Sequence, residues 1–152
     1  MNNNDVLRRI RYTFNINDDG MIRLFGLGGA EVTRDDVSNW LKKEDDPGYR
    51  KCQDVQLAAF LNGLIVDRRG RKEGPQPEPE KSLNNNIILR KLKIALDLQA
   101  EDVQALIKQP DFNLSNHELS AFFRRPGHKH YRECKDQVLR YFLKGMQQKY
   151  RG

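Results

Sequence analysis

The stretch Tyr49-Arg-Lys-Cys52-Gln-Asp54-Val-Gln-Leu57-Ala-Ala-Phe60-Leu61-Asn-Gly63 returns 82 residues later as Tyr131-Arg-Glu-Cys134-Lys-Asp136-Gln-Val-Leu139-Arg-Tyr-Phe142-Leu143-Lys-Gly145. Eight positions are identical without a gap. Carried outward, the same register pairs Leu7, Arg8, Leu24 and Ser38 with Leu89, Arg90, Leu106 and Ser120, and Asn3-Asn4 with Asn85-Asn86. Conservative exchanges fill the gaps, with Ile10 meeting Leu92, Phe14 meeting Leu96, and Trp40-Leu41 meeting Phe122-Phe123. Position n and position n + 82 are therefore read as matching places in two copies of one unit.

Each copy reads as four short helices, so the expected fold is all-α, two tandem pseudo-symmetric repeats. In the first helix of each copy, Leu7, Ile10 and Phe14, or Leu89, Leu92 and Leu96, recur at i, i+3 and i+7, with Asn4 and Asn86 as expected caps. The second helix, about Asp19 to Leu27, presents Met21, Leu24 and Phe25, and its counterpart Val103, Leu106 and Ile107. Gly28-Gly29 stops the first of these and Pro110 the second. Thr33 to Asp36 and Ser115 to Glu118 both fit the capping-box pattern at the start of a third helix. The fourth is expected to begin after a capping Asp54 or Asp136 and to run onto the shared glycine.

The domain reading follows: residues 1–66 and 85–147 as the repeats, 67–84 as a linker and 148–152 as a tail. The linker joins Arg68-Arg-Gly-Arg-Lys72 to Gly74-Pro-Gln-Pro-Glu-Pro-Glu80, whose prolines forbid a continuing helix. A unit of ~65 residues is marginal alone, so the copies are expected to pack face to face.

The runs at residues 3–12, 40–45, 60–65 and 84–92, with His128 to Cys134 and Leu139 to Gly145, look like the bacterial YehS family. That resemblance spans essentially the whole chain. It implies a duplicated domain of unknown function and supplies no activity, cofactor or catalytic residue.

Charge is unevenly placed along the 152 residues. The net charge is +6, yet residues 1–66 carry 9 basic against 10 acidic side chains, while residues 87–152 carry 13 against 7. Such asymmetry points to an anionic partner, nucleic acid or an acidic protein face. The first five residues lack the basic flank and apolar run of a secretory signal, and the most apolar window, Leu57 to Val66, is broken by Asn62 and Gly63. A cytoplasmic protein with no membrane span is expected.

Four groups of residues are candidates for chemistry. Arg8 with Arg11, and Arg90 with Lys93, share a helix face at i, i+3 and form pairs suited to a phosphate or carboxylate. The loop Arg124-Arg125-Pro-Gly-His128-Lys129-His130-Tyr131-Arg132 is the densest basic stretch, with His and Tyr available for stacking on bases. Its counterpart, Lys42 to Arg50, carries Glu44, Asp45 and Asp46.

The Tyr49, Cys52, Asp54 and Tyr131, Cys134, Asp136 elements are read as structural repeat positions, each cysteine a small buried hydrophobe and each tyrosine packed on the third helix. A duplicated Cys-His mechanism is excluded, since the first copy has no histidine. His128 and His130 at i, i+2, with His117, lack the further ligands zinc requires, so no metal and no cofactor are expected.

No acid, base and nucleophile converge, and no helix-turn-helix is evident. The leading expectation is a non-catalytic binding protein whose second repeat contacts nucleic acid. The alternative is an interaction adaptor or homodimer that uses the apolar surface between the repeats.

Overall fold

The computed structural model describes residues 1–151, which form eight helices and, among those residues, no strand beyond an isolated bridge between Gln109 and Phe112. The first repeat contributes α1 (Asn3–Thr13), α2 (Asp18–Leu27), α3 (Arg34–Leu41) and α4 (Asp54–Arg69). The second contributes α5 (Asn85–Ala95), α6 (Ala100–Ile107), α7 (Asn116–Ala121) and α8 (Asp136–Tyr150). Helix α4 thus continues to Arg69, into the stretch assigned to the linker, before Gly70 ends it at φ 87°, and α8 reaches Tyr150.

The repeat extends to the backbone itself. The turn after α1 places Asn15 at φ 51°, and the turn after α5 places Asp97 at φ 54°, the matching position. Left-handed backbone is costly for most side chains and tolerated best by Asn, Asp and Gly, so this turn selects its residue twice. Both capping boxes of the third helices form, Thr33 with Asp36 and Ser115 with Glu118.

Two expected caps are displaced. Asn2 and Asn84, not Asn4 and Asn86, cap α1 and α5, accepting from the backbone N–H of Asp5 and Ile87. Asn4 and Asn86 lie two residues further on, buried, and act as clamps. Asn4 Nδ2 donates to the carbonyls of Trp40 and Arg50 at 2.9 and 2.8 Å, and its Oδ1 accepts from Cys52 N at 3.0 Å. Asn86 repeats this with Phe122, Arg132 and Cys134 at 3.1, 2.8 and 2.9 Å. One side chain therefore satisfies three buried backbone groups and pins the loop after the third helix to the first helix.

Similarly, Gln53 and Lys135 hold the cap positions of α4 and α8, while Asp54 and Asp136 are the first helical residues. Their carboxylates are drawn sideways instead. Asp54 accepts from Asn3 Nδ2 at 2.7 Å and from Leu83 N at 2.9 Å. Asp136 accepts from Asn85 Nδ2 at 2.7 Å and from the Met1 amino group at 3.2 Å. Each repeat thus holds the start of the other, the reciprocal pattern of a two-fold axis.

Within each repeat the second and fourth helices pack most closely. Gly63 permits this in the first repeat, since a Cβ there would lie 1.7 Å from the Leu24 carbonyl oxygen, and Gly145 in the second, 2.1 Å from that of Leu106. Between repeats, α4 lies along α5 and α8 along α1, the former pair with the more extensive contact. The apolar faces of both halves merge into one core, with the Phe25 ring packed at a tilt between Trp40 and Phe60 at centroid separations of 5.3 and 5.0 Å.

Candidate anion-binding surface

The loop between α7 and α8 is anchored at one end and free at its tip. Arg132 N donates to Ala121 O, its own carbonyl accepts from Asn86, and Cys134 N reaches Asn86 Oδ1. Upstream, two turns close through His128 N to Arg125 O and Tyr131 N to His128 O, both at 3.0 Å. Arg124, Arg125, Lys129, His130 and Arg132 are exposed there, and His128 is half-buried.

All three histidines of the chain meet on this surface. His128 and His130 have ring centroids 5.5 Å apart, and His117, from the first turn of α7, lies 6.2 Å from His130. His128 Nδ1 accepts from His130 N at 3.0 Å, which fixes one ring against the loop backbone. A shallow hollow of about 240 Å³ joins His117, Lys129, His130, Tyr131 and Arg132. Sequence spacing alone does not bring His117 to the other two; the fold of the loop over α7 does.

The charge of this surface is weakly compensated. Two ion pairs touch the loop among the described residues, Arg132 with Glu118 at 4.0 Å and Lys135 with Glu133 at 3.7 Å, and neither involves Arg124, Arg125 or Lys129. Glu118 is held below the usual carboxylate range chiefly by the backbone N–H of Ser115, the capping box, with Arg132 a lesser cause. In the matching loop of the first repeat three charged side chains are already engaged: Glu44 accepts from Asn2 Nδ2, Asp46 from Gly48 N, and Lys42 donates to Asn39.

The first-helix pairs are not brought out as two equivalent clamps. Arg8 is committed to Asp5 Oδ1 at 2.5 Å and to the Lys42 carbonyl at 2.8 Å, so it ties α1 to the loop after α3. Lys93 sits 5.6 Å from the ring centroid of Phe123, whereas Arg90 is exposed and Arg11 half-buried. A second basic hollow, not evident from the sequence, lies on the α1–α8 seam and is lined by Arg8, Arg9, Tyr12 and Arg140. Arg151 closes its margin with a guanidinium 3.8 Å from the Tyr12 ring centroid. The signal in the sequence is Arg140 and Lys144, i and i+4 on one face of α8, with Arg151 just past its end.

The duplicated cysteine element is structural in its geometry. Cys52 and Cys134 are buried in like surroundings, each Sγ 3.7 to 3.8 Å from the carbonyl of the next residue. Burial pushes both thiols up to about 12, with the adjacent Asp54 or Asp136 adding to the shift. A thiol so raised supplies almost no thiolate nucleophile near neutral pH. Asp136 moves the other way, held below its ordinary range by the Asn85 amide and then by the Met1 ammonium. Among the described residues, no group of three or more His, Cys, Asp or Glu side chains is arranged to hold a metal ion.

Two segments, residues 3–70 and 85–152, each match the family described as "Protein of unknown function (DUF1456)". The chain belongs to the DUF1456 family. The two matched segments coincide with the two four-helix repeats of the structure. A relative, "Uncharacterized protein YehS" of Escherichia coli (strain K12), is 45% identical over 147 residues, covering 96% of this chain and 94% of that protein. No solved structure matches. Among the described residues, no helix of this DUF1456 protein is long and apolar enough to cross a membrane.

Proposed function

We propose that this protein is a non-catalytic binding protein that docks nucleic acid on its second repeat, through the α7–α8 loop. One observation carries the reading: Arg124, Arg125 and Lys129 are exposed and outside any ion pair among the described residues, beside three clustered imidazole rings and Tyr131. Guanidinium and ammonium groups neutralise phosphates, and flat rings at the same site offer faces for unpaired bases, which favours single strands over duplex. The counterpart loop in the first repeat, Lys42 to Arg50, balances three basic against three acidic side chains, whereas Arg124 to Arg132 carries none that is acidic.

The adaptor or homodimer alternative has less surface to use, because the apolar faces between the repeats are largely packed against each other within one chain, with Ile94 left exposed on the α4–α5 seam. The exposed large hydrophobics, Tyr12, Val55 and Ile94, stand on three separate helices.

The test is fluorescence anisotropy with a mixed-sequence single-stranded oligonucleotide over a salt series. Engaging three to five phosphates gives a slope of log K against log salt of roughly −2 to −4. Arg124→Glu with Arg125→Glu and Lys129→Glu abolishes binding while leaving the fold intact. A flat salt dependence, or undiminished binding by that variant, removes the proposal. Binding of an acidic protein in place of the oligonucleotide would reassign the partner.

A further inference from the structure

Lys91 stands on the apolar stripe of α5. With Ile88, Leu92 and Ala95 it completes an i, i+3, i+4, i+7 set, and it is only 9% exposed. Its Nζ donates to Asn62 Oδ1 at 2.6 Å, and Glu80, from the proline-rich connection, brings a carboxylate oxygen to 3.0 Å. A buried ammonium requires such company, since an uncompensated charge away from water is strongly unfavourable.

The cluster is nevertheless incomplete. Asn62 Nδ2 and Glu80 Oε1 are both buried without a hydrogen-bond partner, the latter close to Lys91 but not aligned for a bond. Asn62 is 7% exposed and, with Lys91, lines a cleft of about 510 Å³ between the end of α2, the α4–α5 seam and the connection that crosses it. Ile65, Val66 and Ile94 form an apolar wall, and Arg90 stands on the rim. Ile94 is left 45% exposed, an open apolar side chain beside a buried cation.

The fold itself does not require this arrangement. On the pseudo-equivalent α1–α8 seam the matching residues are Arg9 and Lys144, half-buried and exposed, with no carboxylate-bearing connection across them. The Lys91–Asn62 centre is private to one of two otherwise matching seams.

We infer that this cleft binds a small amphiphilic carboxylate. Its two oxygens sit on Lys91 Nζ and Asn62 Nδ2, and its apolar portion lies along Ile65, Val66 and Ile94. Glu80 demonstrates that a carboxylate suits the ammonium, and it acts as an internal stand-in that the ligand displaces. One ammonium and one spare amide N–H match two carboxylate oxygens, the group that Glu80 already presents to Lys91; Arg71, Lys72 and Arg90 also line the cleft, so octyl phosphate is the comparison that decides between the two anions. A neutral amphiphile would displace Glu80 and leave Lys91 uncompensated. The inference is independent of nucleic-acid binding, which uses a different repeat face.

Isothermal calorimetry and thermal unfolding with sodium octanoate test it, against octanol and octyl phosphate at the same ionic strength. Octanoate binds saturably at one site and raises the unfolding temperature with concentration, while octanol does not. Lys91→Met loses binding by more than tenfold, and the chain still folds because Glu80, whose side chain is 33% exposed, can turn its charge to solvent. Glu80→Gln, which removes the internal competitor's charge, binds severalfold more tightly. Ile94→Trp obstructs the cleft mouth and weakens binding without altering the unfolding midpoint. Equal binding of octanol, stronger binding of octyl phosphate, undiminished binding by Lys91→Met, weakened binding by Glu80→Gln, or no saturable binding by the unaltered protein would overturn the inference.

Discussion

Replacing Asn86 by Asp separates a buried clamp from a helix cap, because the two roles need different atoms. At a cap only an acceptor oxygen matters, and Asp serves as well as Asn. At the clamp the side chain must also donate twice, to Phe122 O at 3.1 Å and Arg132 O at 2.8 Å, while accepting from Cys134 N at 2.9 Å. Asn86→Asp keeps the acceptor, removes both donors and turns a carboxylate toward two buried carbonyls. Each buried group left unpaired costs about 1–3 kcal/mol, so the loss is about 3–5 kcal/mol with partial relaxation. That is a large share of a typical stability of roughly 5–15 kcal/mol. Asn84→Asp, at the true cap, changes stability by less than about 1 kcal/mol, since Ile87 N still finds an oxygen. Asn4→Asp behaves like Asn86→Asp, because its partners are the same atoms one repeat earlier. Urea unfolding followed by circular dichroism and by Trp40, the single tryptophan, measures all three variants. If Asn86→Asp costs no more than Asn84→Asp, the clamp does not hold the loop and the account of the repeat is wrong.

Other expectations follow from the same packing. Gly63→Ala and Gly145→Ala drive a methyl into the backbone carbonyls of Leu24 and Leu106 and lower stability by several kcal/mol, on the order expected for overpacking. Gly26→Ala, with nothing within 4 Å of the added methyl, raises the unfolding temperature slightly, by about 0.5–1 kcal/mol of helix propensity; scanning calorimetry distinguishes the three. With both thiols at about 12, Ellman's reagent at pH 8 leaves Cys52 and Cys134 unmodified in the folded protein and titrates both in urea. The native state therefore favours the protonated thiol. That stabilisation is complete below the unfolded value of about 8.5 and is lost as pH rises from there toward 12. The urea midpoint falls over that alkaline range, less steeply in a Cys52→Ala, Cys134→Ala double variant. An equal fall in both proteins would refute a thiol contribution.

Much of the architecture was legible because it depends on local chemistry repeated twice. The apolar stripes of α1 and α5, the stops at Gly28 and Pro110, and the capping boxes at Thr33 and Ser115 each require a residue type at a fixed short spacing, which a linear sequence displays directly. The basic loop Arg124 to Arg132 was likewise visible as a run of charge, though its convergence with His117 was not. Asn4 and Asn86 were legible as paired and important, yet their role was assigned to the wrong atoms. Local rules favour an asparagine at a helix start for capping, and only the returning loop shows that these two face inward.

The duplication, the helix periodicity and the concentration of positive charge in the second half were determined by the amino-acid sequence alone, since each is a property of order along the chain. Tertiary structure alone decided which charges remain free. Arg8 is consumed by Asp5 and the Lys42 carbonyl, Lys91 is buried against Asn62 and Glu80, and Arg124, Arg125 and Lys129 are left to solvent. The physical reason is that a charged side chain's availability depends on neighbours contributed by distant segments, and no spacing rule encodes which segments will meet.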